Sequence, residues 1–92
     1  FVFGIFKDKD IDGVLGNLGK LADEFIAIRP PSPRGLDETE TYKKCLEYTP
    51  NSSKCDNILC AISTAYNSKC ELIVVCGSLS ILSPAYDVIM KL

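Results

Sequence analysis

Three short stretches gather the side chains that could do chemistry. Lys7-Asp8-Lys9-Asp10 follows the apolar run FVFGIF, Arg29 and Arg34 bracket Pro30-Pro31-Ser32-Pro33, and Gly77-Ser78 follows the apolar run LIVVC. Their ammonium, guanidinium and hydroxyl groups are donors of the kind that hold carboxylates. Each stretch also has a plainer reading. A Lys-Asp alternation after a strand is usually a solvated turn, whose surface ion pairs are worth about 0 to 1 kcal/mol each. Gly-Ser is a common turn, and an arginine among prolines is often simply exposed.

Other chemistries find less support. The five cysteines, Cys45, Cys55, Cys60, Cys70 and Cys76, form no C-x-x-C pair, and the chain has no histidine to complete a zinc set. No metal site is expected. The odd count, with Cys60 and Cys76 inside apolar segments, reads as reduced thiols used as small hydrophobes, and hence as a cytoplasmic protein. One bridge among the more exposed Cys45, Cys55 and Cys70 stays open. Gly13, Gly16 and Gly19 are spaced G-x-x-G-x-x-G within a helix, which is not the G-x-G-x-x-G turn between strand and helix that cradles a dinucleotide.

The elements that position these stretches follow from apolar spacing. Residues 1–6 form a continuous β-prone run, which suits a strand covered on both faces. Val14, Leu15, Leu18 and Leu21 recur at helical spacing behind acids placed at the positive end of the helix dipole. Residues 25–28 make a second strand, and the three prolines after it exclude both helix and sheet interior. Asp37 is expected to cap a helix to about Tyr48, with Tyr42, Cys45, Leu46 and Tyr48 as its thin apolar face. Residues 49–53 read as a turn cluster, with a very short strand around Lys54 and Cys55 left open. Asp56 or Asn57 then caps a helix whose inward stripe is expected to be Ile58, Leu59, Ile62, Ala65 and Tyr66. Residues 72–76 read as a wholly buried strand, and a last helix begins near Ser83-Pro84.

Strands alternating with helices imply right-handed crossovers, hence a Rossmann-like three-layer α/β/α fold with a mainly parallel sheet. Ligands of such sheets sit at the carboxyl ends of the strands, where all three candidate stretches fall. With 47% apolar and 24% charged residues the chain reads as one ordinary globular domain over residues 1–92. A net charge of -2 and a pI near 5.0, with scattered lysines, offer nothing to nucleic acid. The longest apolar run, residues 72–76, is far below the roughly 18 to 20 residues that span a bilayer, so no membrane partner is expected.

Residues 1–10 (FVFGIFKDKD), Ser32-Pro33-Arg34 after a strand, and residues 73–79 (IVVCGSL) together resemble the C-terminal domain of folylpolyglutamate synthase/dihydrofolate synthase, in the Mur ligase family. The resemblance extends in order and spacing over nearly all of the chain. It implies an ATP-dependent amide ligase that adds glutamate to a folate carboxylate or to a growing γ-glutamyl tail, through an acyl phosphate and with Mg²⁺. By resemblance Lys9 would pair with a glutamate carboxylate and Ser78 would donate a hydrogen bond to one. Lys7 would stand in for Lys9, Arg34 would clamp a further carboxylate or only fix its loop, Asp8 and Asp10 would orient the lysines, and Gly77 would support the turn.

Two parts of the family pattern are missing: the D-G-A-H-N strand end that should open this domain, and the N-terminal ATPase domain with its Gly-rich loop. The chain therefore reads as a fragment, too small to catalyse alone and not expected to bind ATP tightly. If the missing strand is the central one, the remaining strands must close a gap, expose edges or pair with another chain, so some self-association is expected. Two other readings stay open. One is a non-catalytic nucleotide- or effector-binding α/β module, receiver-like, with Asp8 as its key residue; the other is a ligand-free interaction domain.

Overall fold

The computed structural model describes residues 1–68 and 70–91. Its elements are β1 (Val2–Gly4), α1 (Ile11–Leu18), β2 (Phe25–Ala27), α2 (Glu38–Leu46), β3 (Ser52–Lys54), α3 (Ile58–Asn67), β4 (Val75–Gly77), a 3₁₀ turn (Leu79–Ile81) and α4 (Leu82–Ile89). The strands form one parallel sheet in the order β3-β2-β1-β4. From β1 the chain steps outward to β2 and β3, then crosses back to lay β4 on the other side of β1. Strand order therefore reverses between β1 and β4.

Alternation along the strands sends side chains to two cores. Val2, Ile26 and Ile28 pack with Ala61 and Ala65 of α3 and with Ile81. Phe3, Ile5 and Phe25 pack with Leu15 of α1 and Cys45 of α2, and the Phe25 ring stacks on Phe1 and meets Phe3 edge-on. With α1 and α2 on one face and α3 and α4 on the other, the molecule has the expected three layers. No gap separates these strands: β4 pairs directly with β1, from Val2 opposite Val75 to Gly4 opposite Gly77. The sheet instead ends at β3 and β4, neither of which has an outer strand among the described residues.

Several expectations shift. The turn cluster hides β3, which runs through Ser52, Ser53 and Lys54 instead of beginning at Lys54. An edge strand of hydroxylic residues has no apolar pattern to announce it. The inward face of α3 is Ala61, Ile62 and Ala65, while Leu59 and Tyr66 are exposed. α1 turns only Leu15 fully inward, and Leu21 lies beyond its end. Residues 72–76 are not core: Leu72 is exposed and residues 73–76 are half-buried, as befits a strand at the edge of the sheet.

The thiols also change places. All five are free; Cys45 and Cys55 are buried, whereas Cys60 and Cys70 are exposed and Cys76 is intermediate. Cys45 lies one helical turn from buried Thr41 on the inner face of α2, and Cys60 is rotated by one residue off the inner face of α3. Burial pushes the Cys45 thiol from 9.0 up to about 12. For Cys55, burial first and then a hydrogen bond to Cys60 push the thiol up to about 11. A thiol reagent at neutral pH should therefore label Cys60 and Cys70 quickly in the native chain, and Cys45 only on global unfolding. The sign of the linkage is that of a raised pKa. Keeping Cys45 protonated stabilises the fold fully below pH 9.0, and that contribution is lost as pH rises toward about 12. Alkaline titration followed by circular dichroism should show unfolding in that window, shifted upward in Cys45→Ala.

Candidate functional site

The reversal of strand order between β1 and β4 leaves a crevice at their carboxyl ends, the place where open α/β sheets hold ligands. Two of the three candidate stretches leave the sheet there. The Ser78 amide donates to the Gly4 carbonyl at 2.7 Å, so the turn after β4 is fastened to the end of β1. Gly77 makes this approach with φ +109°, and a Cβ on it would collide with the Gly4 carbonyl oxygen. A Cβ on Gly4 would in turn lie 2.8 Å from the Ile28 carbonyl oxygen at the end of β2. The ends of β4, β1 and β2 thus meet backbone to backbone, which only glycine permits at these points.

The third stretch is brought to the same rim. The Leu36 amide donates to the Ile5 carbonyl and the Lys7 amide to the Arg34 carbonyl, both at 2.8 Å, and Phe6 bridges Gly35 in antiparallel fashion. The proline loop is therefore zipped to the β1–α1 loop. Arg34 completes the fastening: its guanidinium lies 4.6 Å over the Phe6 ring and donates to Asp8 at 3.0 Å. Phe6 as a platform for Arg34 was not apparent from sequence, where it reads only as the end of a strand.

This arrangement changes the parts taken by the two acids. Asp8 pairs with Arg34, not with a lysine. Desolvation acts upward on its carboxyl, but its backbone hydrogen bond, the Arg34 guanidinium and the Lys9 charge together hold it below the ordinary 3.8. The pair thus favours the folded chain above the ordinary carboxylate pKa and is lost as pH falls through the depressed one. Asp10 caps α1, accepting from the Gly13 amide at 3.0 Å. With both acids engaged, Lys7 and Lys9 are exposed and form no ion pair among the described residues. Asp8 held by Arg34 also weighs against the receiver-like reading, which needs that carboxylate free.

Ser78 is buried, and its Oγ accepts from the Ser80 amide at 3.2 Å and lies 2.8 Å from the Ser80 hydroxyl. If both Ser80 groups donate, the Ser78 proton is left to donate outward. Ser80 gave no signal in the sequence beyond lying in a turn.

Along the same rim, a cavity of 730 Å³ separates the proline loop from the start of α3, with Arg29, Asn57 and Pro84 on its walls. A larger groove of 1310 Å³ lies at the opposite, amino ends of the strands. Asp23, Glu24 and Glu71 border it, with no Lys or Arg among the described lining residues, so it does not suit an anion. The free lysines make the carboxyl rim the better candidate. Among the described residues no group of three or more His, Cys, Asp or Glu could hold a metal ion. No helix among the described residues is long and apolar enough to cross a membrane.

No protein-family model and no curated protein sequence matches the chain. Solved structures do. A Mycobacterium tuberculosis folylpolyglutamate synthase complexed with ADP matches 73% of this chain and 15% of its own, at 28% identity and TM-score 0.70. A second structure of that enzyme, from work with ADP and AMPPCP, matches 99% of this chain and 23% of its own, at 21% identity and TM-score 0.78. The bifunctional folylpolyglutamate synthase/dihydrofolate synthase of Yersinia pestis c092, complexed with AMPPNP and a Mn ion, matches 97% of this chain and 21% of its own, at 23% identity and TM-score 0.78. The chain thus spans less than a quarter of the length of these neighbours. It shares the α/β fold of one part of folylpolyglutamate synthase and of bifunctional folylpolyglutamate synthase/dihydrofolate synthase.

Proposed function

We propose that the chain is the C-terminal, glutamate-binding part of an ATP-dependent amide ligase of the Mur type, which joins L-glutamate to a folate or folylpolyglutamate carboxylate. One observation carries this reading: Asp8 and Asp10 are engaged elsewhere, which leaves Lys7 and Lys9 without an ion pair among the described residues, at the same carboxyl rim that the Ser78 turn leaves from. Glutamate brings two carboxylates to such a rim. Lys9 takes one by charge and Ser78 takes one by hydrogen bond, with Lys7 as second cation, while Gly77 lets the turn approach. Arg34 acts by taking the Asp8 carboxylate into its own ion pair, so that neither lysine is tied to it.

Held at both carboxylates, glutamate has only its amine left to aim. The neutral amine attacks an acyl phosphate; the C–N bond forms, the acyl C–O bond to phosphate breaks, and phosphate departs while the nitrogen loses a proton. This chain's part in that step is orientation. The nucleotide and Mg²⁺ that activate the acyl group belong to other residues of the whole ligase, and the chain alone neither binds ATP tightly nor forms product. Its compartment on this reading is the cytoplasm.

Two charge-assisted or hydroxyl hydrogen bonds at a wet rim contribute on the order of 1.5 to 3 kcal/mol each, which places the affinity for glutamate near 1 mM. Titrating the ¹⁵N-labelled chain with L-glutamate should move the Lys9 and Ser78 amides together, along one saturating curve. Glutamate that leaves both amides unmoved at about 50 mM sinks the proposal.

A further inference from the structure

The turn from β3 into α3 brings two thiols together. Cys55 follows β3, and its amide donates to the Ala27 carbonyl at 2.9 Å, so its backbone is fixed to β2. Its side chain belongs to the core on the α3 face and is 7% exposed. The Cys55 Sγ lies 3.8 Å from the Thr64 hydroxyl, which places it against one edge of α3. Cys60 is one helical turn before Thr64 on that same edge. It is exposed, and its thiol acts on Cys55 through a hydrogen bond. The Cys60 backbone is fixed in turn: its amide donates to the side chain of the capping Asn57 at 2.8 Å, and α3 is anchored by buried Ala61, Ile62 and Ala65. The remaining thiols are placed otherwise. Cys45 and Cys76 pack in the core on the opposite face, and Cys70 donates to the Ala65 carbonyl.

We infer that Cys55 and Cys60 are a reversible redox pair, which hydrogen peroxide closes into a disulfide and a small thiol reopens. Cys60 is the thiol that meets the oxidant. Its sulfur attacks one peroxide oxygen; the S–O bond forms, the O–O bond breaks, and the departing oxygen carries off the thiol proton as water. Cys55 then attacks the Cys60 sulfur; the S–S bond forms, the S–O bond breaks, and the hydroxyl leaves with the Cys55 proton as a second water. Two thiols have given up two electrons, and one peroxide has become two waters. Two equivalents of a small thiol reverse the closure by exchange. An accessible thiol backed by a sheltered resolving neighbour is the arrangement of a redox-sensing site, not of a structural bridge. The closed ring runs over residues 55–60 and encloses Asp56 and Asn57, which border the cavity on the carboxyl rim. Oxidation therefore ties down one wall of that cavity. Both thiols belong to one stretch of this chain, so the pairing needs no partner surface, and it does not depend on the glutamate proposal.

Mild oxidation of the 92-residue chain with hydrogen peroxide at neutral pH, followed by alkylation in denaturant and digestion with trypsin, tests it. Cys55 and Cys60 fall together in the peptide of residues 55–69, which holds no other cysteine. After oxidation that peptide should be about 2 Da lighter than its reduced form and take up no alkylating agent, and dithiothreitol should restore both thiols. In Cys55→Ser the sulfenic acid on Cys60 has no resolving thiol, and dimedone should trap at least about 10-fold more of it than in the parent. The mass readout needs only the unsubstituted chain, so the test stands even if Cys55→Ser fails to fold. Cys60 found joined to Cys70, or driven to the sulfinic acid while Cys55 still takes up the alkylating agent, overturns the inference. A parent chain that dimedone labels as fully as Cys55→Ser overturns it equally.

Discussion

Replacing Gly77 with Ala is expected to lower the thermal midpoint by about 12 to 24 °C, corresponding to roughly 3 kcal/mol in a domain of this size. Two independent costs add. With φ at +109° the residue occupies backbone space that an L side chain adopts only under strain. The new methyl group would also be driven into the Gly4 carbonyl oxygen, and that oxygen is fixed, because it accepts from the Ser78 amide and lies in the central strand. Backbone cannot step aside as a flexible side chain would. The expected loss is a large share of the roughly 5 to 10 kcal/mol that holds a small domain together.

Gly16→Ala supplies the contrast. Gly16 is inside α1, and a Cβ there meets no atom within 4 Å. That change should stabilise the chain by about 0.5 to 1 kcal/mol, because it lowers the entropy of the unfolded state and suits the helix. Two Gly→Ala changes in one chain are thus expected to have opposite signs, as read by thermal or urea unfolding. If Gly77→Ala is as stable as the parent, β4 does not meet β1 as described, and the rim loses its scaffold.

Why some of this architecture could be read from sequence, and some not, is a matter of range. β1 and β2 are covered on both faces, so their residues form unbroken apolar runs that stand out from a single sequence. The proline loop and the Gly-Ser turn mark their own ends. β3 has no such mark, since Ser52, Ser53 and Lys54 become a strand only because β2 offers them a ladder. In α3 nearly every position from Ile58 to Ile62 is apolar or small, so spacing alone could not choose the inward row, and the expected stripe took in exposed Leu59 and Tyr66 and passed over buried Ala61. The site divides in the same way. That Lys7 and Lys9 follow a strand is local information. Asp10 as the cap of the next helix is local too, whereas the engagement of Asp8 depends on Arg34, which is 26 positions from it in the chain and finds it only through the zipped loops.

Lys9→Ala is expected to weaken glutamate binding by about 10- to 100-fold, the equivalent of one charge-assisted hydrogen bond at about 1.5 to 3 kcal/mol. Lys9 makes no ion pair among the described residues, so the same change should leave stability within about 0.5 kcal/mol of the parent. A binding loss without a stability loss is what separates a ligand contact from a solvated turn. Lys7→Ala should cost less, and added salt should weaken binding in the parent more than in Lys9→Ala, since an exposed charge pair is screened. Arg34 tells apart the two roles left open for it. If it acts by restraining Asp8, Arg34→Ala frees a carboxylate beside Lys9 that competes with glutamate, and Asp8→Asn added to it restores affinity. If Arg34 touches glutamate itself, the second substitution restores nothing. The double-mutant cycle therefore assigns the residue, with the ligand titration as readout and circular dichroism as the check on folding. The geometry favours restoration, because the guanidinium is already committed on two sides, to the Asp8 carboxylate and to the face of Phe6.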